Sequence, residues 1–451
     1  MSNLAVPADG RAITRRVFAL SWPAVAEQWL SMLVGLVTTY LVGHLGAAPL
    51  AAVGLSEQIM QIGIALFASI GVGSTVIVAR HVGAGEYSQI SRVIQQSFIA
   101  AAIIGLTSSL FVSIFAHSIL ALFRVGPEVV EVGGVYLRYA GSSLFLATMM
   151  FVGAAILRGA GDTRTPMLVM LVVNVTNVVL SVVLIYGAFG IPGLQVTGAG
   201  IATAIARDMG GIAMVVLVLR GRGRVKCNFL QNLSVDTKII KRILNVGIPA
   251  GLESFLMSTA MLAFATVVGG LGTVSLAAYV MAIRIDGIRA MPSFGIGMAT
   301  TTLVGQSLGA GRPDLARRSA RTGVYYAVAI VTVIGIGLFI LAEHIAAFFV
   351  SDPEVIIQTA MLTRILTFSA PALAITHVLS GGLRGAGDTR WVLVSMIGCL
   401  WAGRVFTGLL LSTVFGMGVA GACIAMVADL YVRAGLCWWR FDSGKWERIV
   451  V

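Results

Sequence analysis

LRGAGDTR at Leu157–Arg164 returns unchanged at Leu383–Arg390, 226 residues later in a chain of 451. The same offset links Pro23-Ala24 to Pro249-Ala250, Glu27 to Glu253, and Leu45-Gly46 to Leu271-Gly272. It also links Gly83-Ala84-Gly85 to Gly309-Ala310-Gly311, Pro127-Glu128 to Pro353-Glu354, and Arg138 to Arg364. One constant spacing over most of the length is the mark of a tandem duplication. The register slips by about three residues only beyond Phe189 and Phe415. The halves are therefore 1–225 and 226–451, joined by a polar, basic stretch at 220–242 that holds Asn232, Ser234 and Asp236.

The solvent of this duplicated chain is lipid. Hydrophobic residues make up 58% of it and charged residues only 11%, against roughly 25% charged in soluble domains. A bilayer core of about 30 Å takes roughly 20 apolar residues per helix. Twelve such stretches occur, near 17–43, 48–78, 93–120, 134–157, 167–187, 199–219, 243–269, 274–304, 323–345, 359–383, 391–415 and 419–439. They are too long for barrel strands and lack alternation. The expected fold is an all-α integral membrane protein with twelve transmembrane helices. An even number per half gives parallel repeats, hence two six-helix lobes around a central cleft.

The formal net charge of +12 is topological. With the N-terminus cytoplasmic, most Lys and Arg fall on the cytoplasmic side. Arg220, Arg222, Arg224, Lys226, Lys238, Lys241 and Arg242 all lie in the central loop. Arg124 and Arg138 are the nearest basic residues to the opposite loops, which carry Glu128, Glu131, Glu343, Asp352 and Glu354. This positive-inside pattern predicts both termini in the cytoplasm and excludes nucleic acid as the reason for the charge. The first long span reads as a retained helix, not a cleaved signal peptide. Cys227, Cys399, Cys423 and Cys437 have no metal spacing and imply no disulfide. His44, His81, His117, His344 and His377 are scattered, with no HExxH and no nucleophile elbow, so neither a metal site nor an enzyme is expected.

Charges within spans cost roughly 2.5–3.5 kcal/mol each on insertion scales. The chain keeps Glu27, Glu57, Arg207, Asp208, Glu253, Arg284, Asp286, Arg289, Arg404 and Asp429. Glu27 and Glu253 stand one turn beyond the matched prolines Pro23 and Pro249, where a helix can kink. They are the leading candidates for ion coupling, set against the plainer possibility that each only pins its lobe through a backbone group or an Arg. Asp286 and Arg289, three apart, can pair on one face, and Arg404 can reach the same interior. Asp208 and Asp429 are expected to pair with Arg207 and Arg433. Trp29, Met32, Tyr40, Met257 and Met281 near these charges would suit bulky apolar cations. In the repeated motif Gly159, Gly161, Gly385 and Gly387 read as tight cytoplasmic turns, with Asp162 and Asp388 placed to cap the next helices. No phosphate loop is present, because the Gly-Lys-Ser/Thr ending is missing.

Four stretches carry a family resemblance. They are WPAVAEQWLSMLVGLVTTYLVGHLGA at 22–47, LAAVGLSEQI at 50–59, the two LRGAGDTR strings, and RIDGIRAMPSFGIGMATTTLVGQSLGAG at 284–311. On these the chain resembles the multidrug and toxic compound extrusion (MATE) family over essentially its whole length. The resemblance implies a multi-pass antiporter of the bacterial inner (plasma) membrane that exchanges a proton or sodium ion for organic cations. It implies no cofactor beyond that coupling ion. Many members carry Asp where this chain has Thr38, and an acidic or amide residue where it has Ser181; Asn177 matches the common Asn. The N-lobe cation-site positions Thr38, Asn177 and Ser181 thus hold hydroxyls and an amide, which can ligate sodium but carry no titrating proton at neutral pH.

The function expected is alternating-access export of cationic amphipathic drugs or metabolites by a monomer in the bilayer. Glu27, Glu253, Asp286, Arg284, Glu57 and Arg404 form the ion-coupling and substrate group. The alternative is a lipid-linked precursor flippase or an exporter of an endogenous metabolite. Such flippases often have more spans and a strongly cationic cavity. A channel is disfavoured by the lack of repeated filter segments.

Overall fold

The computed structural model describes residues 10–123, 125–188, 190, 192–221 and 235–449. Arg124, Phe189, Arg222, Arg224, Lys226, Cys227, Asn232 and Ser234, used above, lie outside the described residues. Among the described residues the regular structure is entirely helical. That is what lipid requires of a chain that is not a closed barrel, because every backbone N–H and C=O must find a partner within its own segment.

The first half contains α1 (Gly10–Gly43), α2 (Ala47–Ala84), α3 (Tyr87–Ala121), α4 (Pro127–Ser142), α5 (Leu144–Ala160), α6 (Arg164–Tyr186) and α7 (Gln195–Leu219). The second contains α8 (Thr237–Gly269), α9 (Thr273–Gly309), α10 (Pro313–Ile340), α11 (Ala342–Phe349), α12 (Pro353–Thr367), α13 (Ala370–Gly385) and α14 (Thr389–Ile397). The span begun by α14 continues through a π-helical stretch, Gly398–Phe406, then α15 (Thr407–Leu409) and a second π-helical stretch, Leu410–Val414. The last span is α16 (Gly418–Asp442), followed by a short 3₁₀ turn at Lys445–Arg448.

These elements make the twelve spans. Among the described residues nine helical segments are long and apolar enough to cross a membrane unaided, and the bent pairs α4–α5 and α12–α13 bring the number to eleven. The twelfth is α9, whose 37 residues include Arg284, Asp286 and Arg289 and so read as less apolar. Spans four and ten were predicted as single helices; each is instead two helices meeting at a bend, of 49° and 55°. The break has the same residue in both halves. Ser143 and Ser369 each turn the side-chain hydroxyl back onto a carbonyl three residues earlier, Ala140 and Leu366, at 2.8 Å. A hydroxyl that captures a backbone carbonyl in this way competes with the helix ladder and bends it.

Two compact units emerge, Ala26–Gly251 and Met1–Val25 with Leu252–Val451. The halves 1–225 and 226–451 follow the duplication, whereas these units follow the packing, and the two divisions differ by an exchange of first segments. Ile13, Val17 and Leu20 of α1 form a core with Ala299, Leu303 and Leu315, and Arg16 Nη2 donates to Gln306 Oε1 at 2.7 Å. In the other unit, Ile243 and Gly247 of α8 lie against Gly73 and Ser69 of α2, so closely that a Cβ on either glycine would collide. Both boundaries fall two residues beyond a helix-interior proline, Pro23 or Pro249.

Candidate functional site

The repeated LRGAGDTR string builds a site in each unit. In the first unit Arg158 Nη1 donates to both oxygens of Glu27, at 3.0 and 3.2 Å. In the second Arg384 donates to Glu253 from Nε at 3.2 Å and from Nη2 at 2.5 Å. Both partners are separated by the same 131 residues. The pin to an Arg, weighed above against ion coupling, is thus what the geometry presents, and the Arg comes from the duplicated motif. Arg384 thus pairs fork to carboxylate, which fixes orientation as well as charge, while Arg158 bridges both oxygens from one nitrogen.

The rest of the motif explains why the Arg arrives in register. A Cβ on Gly159 would sit 2.6 Å from the carbonyl oxygen of Thr75, and one on Gly385 would overlap that of Thr301. The absent side chain lets α5 lie on α2, and α13 on α9. Thr75 Oγ1 then donates across to Ala155 O and Thr301 Oγ1 to Gly381 O, both at 2.9 Å. Gly161 and Gly387 close the turns at φ 92° and 88°, a left-handed conformation that glycine adopts without a steric penalty. The expectation of tight turns therefore holds for Gly161 and Gly387, whereas Gly159 and Gly385 are helical and serve close helix packing instead.

The expected Asp caps hold in one half only. Asp162 Oδ1 accepts from the amides of Arg164 and Thr165, at 3.1 and 3.0 Å, and Oδ2 accepts from the Thr165 hydroxyl at 2.6 Å. Asp388 makes no such cap and instead accepts from Arg440 Nε at 2.7 Å. The position of Thr165 is taken by Trp391 in the second half, whose ring lies 5.1 Å from the Arg440 guanidinium carbon.

Beyond these pairs the two units differ. In the first, Glu57 accepts from the Tyr136 phenol at 2.5 Å, and Arg207 Nη2 stands 3.9 Å from its other oxygen. The Tyr136 phenol also interacts with the Thr203 side chain, and Thr203 accepts from Asn177 Nδ2 at 3.3 Å. Arg207 was expected to serve Asp208. It faces Glu57 instead, because neighbours on a helix point in different directions, and Asp208 Oδ1 has no hydrogen-bond partner among the described residues. Ser181 is buried with a hydroxyl that has no partner among the described residues, and Thr38 is half-buried.

The second unit concentrates charge. Asp286 pairs with Arg289, through Nε at 2.7 Å and Nη2 at 2.5 Å, and Arg289 Nη2 also donates to Ser369 Oγ at 3.0 Å. Asp429, 2% exposed, receives Arg404 through Nε at 3.1 Å and Nη2 at 2.8 Å, and Arg433 through Nη2 at 2.7 Å. The expected Asp429–Arg433 pair is present, with Arg404 as an added partner; Arg404 also lies within electrostatic reach of Asp286. Arg284 is exposed and makes no ion pair among the described residues, so it does not join this cluster. His377 Nδ1 meets Ser293 Oγ at 2.7 Å, and its ring stacks on Phe294. Among the described residues no three His, Cys, Asp or Glu side chains converge as a metal site. The three described cysteines are free and buried.

Arg158, Arg384, Tyr136 and Thr203 were not singled out from the sequence. The two arginines had a visible signal: within the repeat, a carboxylate and an Arg recur together at one spacing.

Comparison with known proteins adds an independent result. The family model described as MatE matches residues 23–183 and 249–410, one block in each half. A probable multidrug resistance protein NorM of Thermotoga maritima is 31% identical, over 97% of this chain and 94% of its own length. A solved MOP superfamily transporter from Pyrococcus furiosus superposes with a TM-score of 0.91 at 25% identity, covering 100% of this chain and 99% of that one. A multidrug resistance MATE family transporter solved in an outward-facing conformation also gives 0.91 at 25% identity, with 97% of each chain covered.

Proposed function

The chain belongs to the MatE family, and from that premise we propose that it is a secondary antiporter. It exports cationic amphipathic small molecules from a bacterial cell across the inner membrane, in exchange for protons or sodium ions. Its termini are cytoplasmic, and it works as a monomer by alternating access. The observation that carries this reading is the mirrored ion pair, Glu27 with Arg158 and Glu253 with Arg384. A carboxylate held by a guanidinium in low dielectric has two stable partners to choose between, the Arg and an incoming cation. When a proton or sodium ion takes the carboxylate, the Arg is released and the helix segment beyond Pro23 or Pro249 loses its pin. Both prolines interrupt the backbone ladder one turn earlier, so a local change of pairing is converted into a change of helix direction.

In this scheme Glu57 serves ion and substrate passage in the first unit, and Asp286 and Arg404 serve it in the second, with Arg284 at the exposed margin of the second. Thr38, Asn177 and Ser181 offer neutral oxygens suited to sodium. Relatives named multidrug resistance proteins support small organic molecules as cargo.

A second reading, export of a metabolite or lipid-linked precursor bearing an acidic group, is favoured by one observation. Three carboxylates of the second unit, Glu253, Asp286 and Asp429, are paired with four arginines, Arg289, Arg384, Arg404 and Arg433.

The test is reconstitution into proteoliposomes, with a pH gradient and a sodium gradient imposed separately and uptake of a fluorescent organic cation followed. Uptake driven by one gradient is the expected result. No response to either gradient contradicts antiport of organic cations and moves the weight to the acidic cargo.

A further inference from the structure

The span formed by α14, the π-helical stretches and α15 encloses, with α16, a cavity of about 460 Å³. All of its wall belongs to one compact unit. The volume is within the usual range of small-molecule sites. Trp391, Val394, Gly398 and Gly403 form one wall, and Val432 and Asp429 the other. Val394 and Val432 are more than half exposed, so the cavity has an open rim. The π-helical run Gly398–Phe406 shapes the wall, and departures from α geometry of this kind recur at functional sites.

The floor is unusual. Asp429 Oδ2 accepts from both Arg404 and Arg433, while its Oδ1 is buried with no hydrogen-bond partner among the described residues. The nearest neighbour that a Cβ on Gly403 would meet is that same Oδ1, at 3.9 Å. Gly403 and Asp429 both line the cavity, so a small shift there opens the oxygen to a ligand. A buried acceptor without a donor costs about 1–3 kcal/mol, and a ligand that brings a donor recovers it.

We propose that this cavity binds a neutral amphipath, an apolar body carrying one hydroxyl, with the hydroxyl donating to Asp429 Oδ1. The charge balance selects neutrality. Two guanidiniums already serve the one carboxylate, so a cationic ligand meets net positive charge at the floor. An ionised acidic group placed there would set a second acceptor, with no proton to give, against Oδ1. The apolar walls supply the affinity for the body, and the single acceptor sets its orientation. This inference concerns a site apart from the mirrored pairs, although Arg404, the partner of its Asp429, is also assigned to ion and substrate passage above.

The test uses full-length protein in nanodiscs and the probes 4-hexylphenol and 4-hexylanisole, in the second of which a methyl replaces the hydroxyl proton. Binding is read from the ligand-dependent shift of the unfolding transition. The phenol is expected to bind at least about tenfold more tightly than the ether, as a hydrogen bond to a charged acceptor would give. Gly403→Ala, which places a methyl over Oδ1 at ordinary contact distance, is expected to erase that preference. Val394→Trp, which narrows the rim and leaves the charges untouched, is expected to weaken both probes together. Equal binding of phenol and ether to the unaltered protein overturns the proposal. So does a preference that survives both substitutions, since the donor would then be read elsewhere. Should Gly403→Ala not fold, the unaltered protein and Val394→Trp still decide the matter.

Discussion

The two halves of this protein keep one device in common and diverge in another. Glu27–Arg158 and Glu253–Arg384 occupy equivalent positions, span the same separation and use the same Arg of the same string. The polar interiors share nothing of that kind. Glu57 in the first half is hydrogen-bonded to a neutral phenol and its side chain is 39% exposed, with an arginine at arm's length. Asp429 in the second half is buried between two arginines. Of the two charged partners of Asp429, Arg404 has no counterpart by the repeat offset, since residue 178 is Val, whereas Arg433 falls on Arg207, which faces Glu57 instead. What a duplication preserves is what both copies must do; where the copies part, each is free to take its own role.

The largest expected effect tests the divergent part. Asp429→Leu strips the shared partner from Arg404 and Arg433 and is expected to cost about 3–5 kcal/mol, the range for breaking a buried ion pair from one side. Glu57→Gln keeps the phenol partner and is expected to cost no more than about 1.5 kcal/mol. Thermal or denaturant unfolding in detergent measures both. Equal losses would erase the distinction between the two interiors.

A smaller effect tests the common part. Arg158→Leu and Arg384→Leu each leave one carboxylate unpaired, and each is expected to cost about 2–3 kcal/mol, reduced from the fully buried case by partial exposure. The comparison predicts that the two losses agree. A loss confined to one half would make the pair structural in that half and dispensable in the other.

The smallest effect lies at the turn after the motif. Asp162→Ala removes acceptors from two backbone amides and is expected to cost about 1 kcal/mol, seen as faster amide exchange at Arg164 and Thr165. Asp388→Ala is expected to leave exchange in the first turn of α14 unchanged and to free Arg440, because Asp388 makes no cap. Matching exchange in the two turns would contradict the difference drawn between them.

Much of this was legible in the sequence, and the reason is physical. Periodic apolar runs and a constant offset report length and duplication directly, so all twelve spans, the glycine turns and the symmetry of Glu27 with Glu253 could be read. Which side chains meet was harder. Contacts such as Glu57 with Tyr136, 79 residues apart, depend on how each helix is rotated against its neighbours, and no spacing encodes that rotation. The π-helical stretches at Gly398–Phe406 and Leu410–Val414 were equally hidden, because their apolar composition is that of any span. The bends at Ser143 and Ser369 were hidden in the same way, since the hydropathy runs unbroken across them. The LRGAGDTR string had seemed only to mark turns. Its Arg is the partner of the carboxylate whose symmetry it revealed.

The central claim is that the mirrored carboxylates carry the coupling, and one measurement addresses it most directly. Gradient-driven efflux of a fluorescent cation is compared in vesicles holding equal amounts of the unaltered protein, Glu27→Gln, Glu253→Gln and the double variant. The expected result is at least a tenfold loss of gradient-driven transport in the double variant, with folding retained by unfolding temperature. Undiminished efflux that still responds to the imposed gradient in the double variant would contradict the account.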